Sequence, residues 1–216
     1  MARESKAAKR ERALEVCRRV DEVYPGAECA LHFSDPFTLT IAVLLSAQTT
    51  DKGVNKVTPE LFSKYGTPEK MAAASIPDIE EIIHPIGFYH TKAKNCVALA
   101  QRLMAEYGGV VPGDMESLQT LPGVGRKTAN IVLNDAFGIT EGIAVDTHVF
   151  RIAHKLKFSN ADAPAATEKN LLDILPEDHW CVVNHQWVQF GRDTCIARRP
   201  RCEACPLADL CPSCDS

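Results

Sequence analysis

Apolar residues recur three and four apart along almost the whole chain and nowhere alternate long enough to build a sheet, which restricts the fold to packed helices. Ala13, Cys17, Val20 and Val23 share one face. Asp35 and Pro36 are an N-cap and first helical residue for an apolar helix through Leu45, and Val54, Val57 and Leu61 mark the next. Thr67 and Pro68 start another helix. A helix from Lys92 to Tyr107 stops at Gly108 and Gly109, and the helix that follows LPGVGRKTAN (Leu121 to Asn130) stops near Gly138. Asp146 and Thr147 open a further helix, and two more cover about 166–175 and 177–190, divided by Pro176. Only VVP from Val110 and IAV from Ile143 hint at extended backbone. The expected class is all-α.

A chain of 216 residues allows one large domain or two small ones. Its 45% apolar and 24% charged residues suit a folded globular protein without low-complexity tracts. The opening MARESKAAKRER is charged, and the longest apolar run, FTLTIAVLLSA from Phe37, is far shorter than the roughly 20 residues of a membrane span. A cytoplasmic, nucleoid-associated protein with no targeting signal and no membrane partner is expected.

Nine cysteines in such a protein need a reason, because cytosolic thiols are kept reduced. Cys17, Cys29, Cys96 and Cys181 sit singly among apolar neighbours, as small buried hydrophobes do. The other five crowd into the last 22 residues. Cys195, Cys202, Cys205 and Cys211 are separated by six, two and five residues, close enough to call for a soft metal partner, zinc or an iron-sulfur cluster. Cys214 completes a second Cys-x-x-Cys, so Cys202, Cys205, Cys211 and Cys214 alone read as a tight zinc knuckle. Both sets remain open on spacing.

The net charge of -4 argues against a protein coated in positive charge, but nucleic-acid affinity depends on local patches. GRDTCIARRPR, from Gly191 to Arg201, holds four arginines against one aspartate, and Lys92, Lys94, Arg126 and Lys127 flank glycine-bearing loops. A solvated basic face is the plainer reading of any one such cluster.

LPGVGRKTAN is not a nucleotide P-loop, because Arg126 intervenes before the lysine and no glycine lies at the required distance upstream. Its glycines suit a turn whose backbone N–H groups converge at a helix start, an anion site for a DNA phosphate that does not read sequence. A weaker echo, PIGFYHTKAKNCVAL from Pro85, repeats the order of glycine turn, lysine and apolar helix.

LPGVGRKTA resembles the helix-hairpin-helix motif of DNA repair glycosylases. Taken with LLSAQTTD from Leu44, IGFYHTKA from Ile86, AVDTHVFR from Ala144 and the terminal cysteines, in order and over nearly the whole chain, it is similar to the endonuclease III family. The resemblance implies a two-lobed all-α fold. One domain, about 29–139, would have six helices and end in the hairpin at about 114–137; the other would join 1–28 to 140–216 around a cluster loop at 195–211.

The family's activity implies a bifunctional enzyme that acts, as a monomer, on double-stranded DNA holding a damaged base or abasic site. It would remove oxidised pyrimidines and nick the strand by β-elimination. Lys127 would attack the sugar C1′ to form a Schiff base. It must be neutral to do so, which burial, the helix start and Arg126 would favour. Asp146 would stabilise developing positive charge, although Asp-Thr before an apolar helix is also an ordinary N-cap. A base must be rotated out of the stack before it is cut. Gln48 would fill the gap and Phe88, where the family often has leucine, would wedge against the orphaned base. Gly123, Val124, Gly125 and Arg126 would cradle a phosphate, Arg198, Arg199 and Arg201 would bind others, and His148 and Asp51 fall near the active site. Cys195, Cys202, Cys205 and Cys211 would hold a 4Fe-4S cluster. Two rivals remain at this level: a glycosylase without lyase activity, against which Lys127 argues, and a non-catalytic DNA-binding module with a structural metal.

Overall fold

In a computed structural model that describes residues 4–214, every regular element is helical. In chain order these are α1 (Lys6–Val23), α2 (Pro36–Leu45), α3 (Asp51–Tyr65), α4 (Pro68–Ala72), α5 (Ile76–Ile83), α6 (Tyr89–Tyr107), α7 (Met115–Thr120), α8 (Arg126–Phe137), α9 (Thr147–Lys155), α10 (Pro164–Leu172) and α11 (Trp180–Asp193). Short 3₁₀ turns lie at Glu177–His179, Cys202–Ala204 and Ala208–Leu210. VVP and IAV are connections; no strand forms among the described residues. None of the described helices is long and apolar enough to cross a membrane.

The chain divides into two units, Cys29–Glu141 and one that joins the residues up to Glu28 with those from Gly142 onward. In the first, α2 is apolar all round and buried from Phe37 to Leu45, as a core helix must be. Leu39, Ile41 and Leu45 are fully buried, at about 1.5–3 kcal/mol each. Its capping box is worth about 1 kcal/mol: Asp35 accepts from the Thr38 N–H, and Thr38 Oγ1 accepts from the Asp35 N–H. Burial therefore holds α2, and the cap sets where it begins. Around it pack α3, α6 and α8.

This unit has seven described helices rather than six, with the five-residue α4 among them. α5, which periodicity alone does not reveal, is started by Ser75, whose hydroxyl accepts from the Asp78 N–H, and by proline in its first turn. α6 starts at Tyr89, not Lys92, because Phe88 takes up the left-handed conformation at its N-cap. α7 and α8 are the two arms of the hairpin.

In the second unit α1, α10 and α11 pack with α9 or with one another around Trp187, fully buried among Val16, Val20, Ile152, Leu156 and Phe190. α10 begins at Pro164 in its first turn, and the 3₁₀ turn after Pro176 delays α11 to Trp180. The cysteine-bearing segment has little regular structure of its own, so α1 fastens it. Arg19 donates to the Pro206 carbonyl at 2.9 Å and pairs with Asp209 at 2.6 Å. Arg12 donates to the Leu156 and Leu210 carbonyls at 2.9 and 3.2 Å.

Candidate active site

The turn from Leu121 to Gly125 is nailed down from inside. Leu121 and Val124 are buried, and the Val124 N–H donates to the Leu121 carbonyl at 3.0 Å. Gly123 has φ +79°, and a Cβ there would lie 2.8 Å from Leu44 Cδ1 and 3.0 Å from Asn95 Nδ2. It is therefore required twice, by conformation and by close approach of α2 and α6. Gly125 is different: its φ of -95° suits any residue, and a Cβ would meet nothing within 4 Å. As the N-cap of α8 it leaves the helix start open. α2, α3, α7 and α9 are closed by cap side chains, whereas α8 has no side-chain cap. First-turn N–H groups and helix dipole make that start an anion site. Lys127 is half-buried in this first turn, with exposed Arg126 beside it.

Two more residues of this unit stand out by backbone strain. Gln48 is exposed with φ +53°, and Phe88 is 65% exposed with φ +58°. The left-handed region costs a non-glycine residue about 1–2 kcal/mol. Such exposure leaves the Phe88 ring outside the core. Lys92, grouped by sequence with the surface cations, is instead buried, and its ammonium donates to Thr49 Oγ1 at 2.8 Å. Burial pushes its pKa below the usual lysine value.

In the other unit Asp146 caps α9, its Oδ1 accepting from the N–H groups of His148 and Val149 at 2.8 Å each. Oδ2 lies 3.2 Å from His148 Nδ1. The cap reading and a chemical role are compatible, because one oxygen serves the helix and the other does not. The His148 ring rests on α11 at Gly191, where a Cβ would come within 2.8 Å of His148 Cδ2 and 2.9 Å of Arg151 Nη2. Arg151 donates to the Gly191 and Cys195 carbonyls at 3.1 and 2.8 Å. One short helix thus holds Asp146 at its start and, a turn later, the residue that anchors the first cysteine of the loop. Sequence reading missed Arg151; its place inside AVDTHVFR was the available signal.

Cys195, Cys202, Cys205, Cys211 and Cys214 line one cavity, with Ile152, Leu156, Phe190 and Leu207 among its apolar walls. Burial pushes the Cys195 and Cys205 thiols up, and the Arg151 guanidinium opposes this at Cys195. Among the described residues no three His, Cys, Asp or Glu side chains are close enough to hold a single metal ion. The thiols about this shared apolar cavity fit an iron-sulfur cluster, which is held by cysteine thiolates. Arg198, Arg199 and Arg201 are exposed on the segment between the first two cysteines.

Comparison with known proteins decides the lineage. The model of the HhH-GPD superfamily of base excision DNA repair proteins matches residues 41–177, and that of the iron-sulfur binding domain of endonuclease III matches 195–211. The chain is 44% identical to the endonuclease III of Synechocystis over 207 residues, covering 96% of this chain and 94% of the relative. The chain belongs to the endonuclease III family. Endonuclease III of Escherichia coli K12 is 43% identical over 198 residues, 92% of this chain and 93% of the relative. A solved trapped covalent intermediate of an endonuclease III with DNA superposes with a TM-score of 0.91 at 42% identity, covering 99% of this chain and 98% of that one. A thermostable thymine-DNA glycosylase, at 24% identity and TM-score 0.84 over 98% of this chain and 99% of that one, shares the fold.

As a member of the endonuclease III family the protein is a bifunctional base excision repair enzyme, DNA glycosylase and AP lyase, with a 4Fe-4S cluster. The non-catalytic module is set aside. The family's iron-sulfur segment takes in Cys195 and stops at Cys211, which also sets aside the zinc knuckle that needs Cys214.

Proposed function

We propose that Lys127 is the nucleophile of both steps and that the enzyme acts on oxidised pyrimidines in duplex DNA. The observation that carries this reading is the open start of α8: an uncapped helix N-terminus behind Gly125, with a half-buried lysine in its first turn. The helix start takes a backbone phosphate, which brings a deoxyribose to the lysine. The neutral amine forms a bond to C1′ as the glycosidic bond breaks and the base leaves with a proton. The sugar ring opens to an imine, a proton is lost from C2′, and the 3′ phosphate departs. A relative of 42% identity has been solved as a covalent intermediate with DNA, which supports an enzyme-linked step here.

Asp146 acts through Oδ2, stabilising the positive charge that grows on the sugar and accepting a proton, while Oδ1 stays on the backbone of α9. Gly123, Gly125 and Arg126 face the phosphate. Val124 shapes the cradle, its own N–H being spent inside the turn. Gln48 and Phe88 enter the stack when the base leaves it, His148 lines the approach, and Arg198, Arg199 and Arg201 bind further phosphates. Cys195, Cys202, Cys205 and Cys211 hold the cluster, which supplies structure to the loop; glycosidic cleavage and β-elimination need no electron transfer. The enzyme works in the cytoplasm as a monomer.

The test is incubation with a duplex containing an oxidised thymine, followed by borohydride. A covalent adduct is expected, lost in Lys127→Ala. Base release without an adduct in the wild type would instead place the protein with glycosylases that lack lyase activity.

A further inference from the structure

Gln48 is the third residue of a turn closed by the Thr49 N–H on the Ser46 carbonyl at 3.0 Å, a position at which glycine or asparagine is relaxed and glutamine is not. Phe88, at the N-cap of α6, is left-handed as well and has no side-chain cap. Two neighbouring non-glycine residues in strained conformations persist only when their surroundings over-determine them, and such strain collects at functional sites. The two loops abut: a Cβ on Gly87 would lie 3.9 Å from the Gln48 carbonyl oxygen.

One side chain reaches both. The Lys92 N–H donates to the Phe88 carbonyl at 3.0 Å, closing the first turn of α6. Its ammonium, on a residue only 4% exposed, donates to Thr49 Oγ1 at 2.8 Å. The Thr49 hydroxyl in turn donates to the Ala47 carbonyl at 3.4 Å. Ammonium, hydroxyl and carbonyl therefore form a chain that brackets Gln48 from both sides. A buried lysine is a poor way to gain stability, since removing its charge from water costs more than one hydroxyl returns. Its retention here has to be accounted for by geometry.

We propose that Lys92 is a positioning residue for base extrusion: through Thr49 it locks the Gln48 turn against the helix that presents Phe88, so both side chains are set before DNA arrives. The proposal rests on the reading of Gln48 and Phe88 as the residues that enter the stack. Preorganisation of this kind acts on the step that needs the opened duplex and leaves the chemistry at an already exposed sugar alone.

The experiment uses the iron-loaded full chain and two substrates. Duplex carrying 2-aminopurine opposite an abasic site reports by fluorescence when the orphaned base is prised from its stack; single-stranded DNA with an abasic site reports lyase chemistry without extrusion. Lys92→Met, which keeps the volume and drops the charge, and Thr49→Val are each expected to lose most of the fluorescence change and to slow strand cleavage at the abasic site of the duplex by ten- to a hundredfold. Thr49→Ser should keep both, and single-strand cleavage should stay within about twofold of wild type in all three, the ordinary scatter of a site left intact. If Gln48→Ala and Phe88→Ala remove the signal but Lys92→Met does not, the proposal is wrong and the insertion reading stands. If Gln48→Ala and Phe88→Ala are themselves silent, the insertion reading fails and takes the proposal with it. Equal losses on both substrates in Lys92→Met would reduce Lys92 to a fold residue and overturn the positioning role.

Discussion

Two glycines two residues apart in the hairpin do different work, and alanine separates them. Gly123→Ala forces φ +79° on a residue with a Cβ and drives it against Leu44 and Asn95. A loss of about 2 kcal/mol or more in urea unfolding is expected. Gly125→Ala should leave the unfolding midpoint within error, because its backbone is ordinary and its Cβ would meet open space. It should nevertheless weaken binding to abasic duplex, because on the proposed reading the added methyl group crowds the phosphate at the start of α8. Equal stability losses in the two variants would contradict this division. Asp146 separates its two roles in the same way. Asn caps a helix about as well as Asp, so Asp146→Asn should unfold like wild type yet cut base release about a hundredfold or more. Asp146→Ala should lose the activity and also about 1 kcal/mol of stability.

At the level of elements, α9 joins Asp146 at its start to the cysteine-bearing loop through Arg151. Arg151→Met preserves bulk but gives up the bonds to the Gly191 and Cys195 carbonyls. Iron should then be lost to a chelator faster, followed by the fading of visible absorbance, with circular dichroism at helical wavelengths little changed. An unaltered rate would mean that the loop holds Cys195 by other contacts. The exposed segment between Cys195 and Cys202 makes a separate prediction, because phosphate contacts reveal themselves through released counterions. Each of Arg198→Ala, Arg199→Ala and Arg201→Ala should lower the slope of log binding constant against log salt by about one. A residue whose removal leaves the slope unchanged points away from DNA.

Across the whole molecule, the buried thiols of Cys17 and Cys96 and the half-buried thiol of Cys29 set a limit at alkaline pH. Burial pushes Cys17, Cys29 and Cys96 up to about 12 from an ordinary 9.0, while the unfolded chain ionises near that ordinary value. Because the folded pKa values are the higher ones, the folded state binds more protons between them; the contribution is fully present below about pH 9 and is lost as pH rises towards 12. The urea midpoint should fall from pH 8 to pH 10, and Cys96→Ala should flatten that fall. An unchanged pH dependence in Cys96→Ala would remove that thiol from the explanation.

The sequence by itself determined what local rules govern. Helical periodicity, the caps Asp35 and Asp146, the LPGVG turn and the crowding of cysteines are each complete within a few residues, so class, hairpin and a metal-holding loop were legible without a fold, while the choice of an iron-sulfur cluster came from the family resemblance. It also carried Lys127, Gln48 and Phe88 as candidates, through a pattern spread in order along the chain. Only the tertiary structure decided that Lys92, which by sequence belongs with the surface cations, is buried, and how far Phe88 is exposed. The same holds for the unequal demands on Gly123 and Gly125, and for Arg151 reaching Cys195 forty-four positions away. Burial and backbone strain are set by whatever another element brings to the spot. The partner of Lys92 is a hydroxyl 43 positions distant, and no local pattern announces a contact that exists only after α6 has packed beside the end of α2.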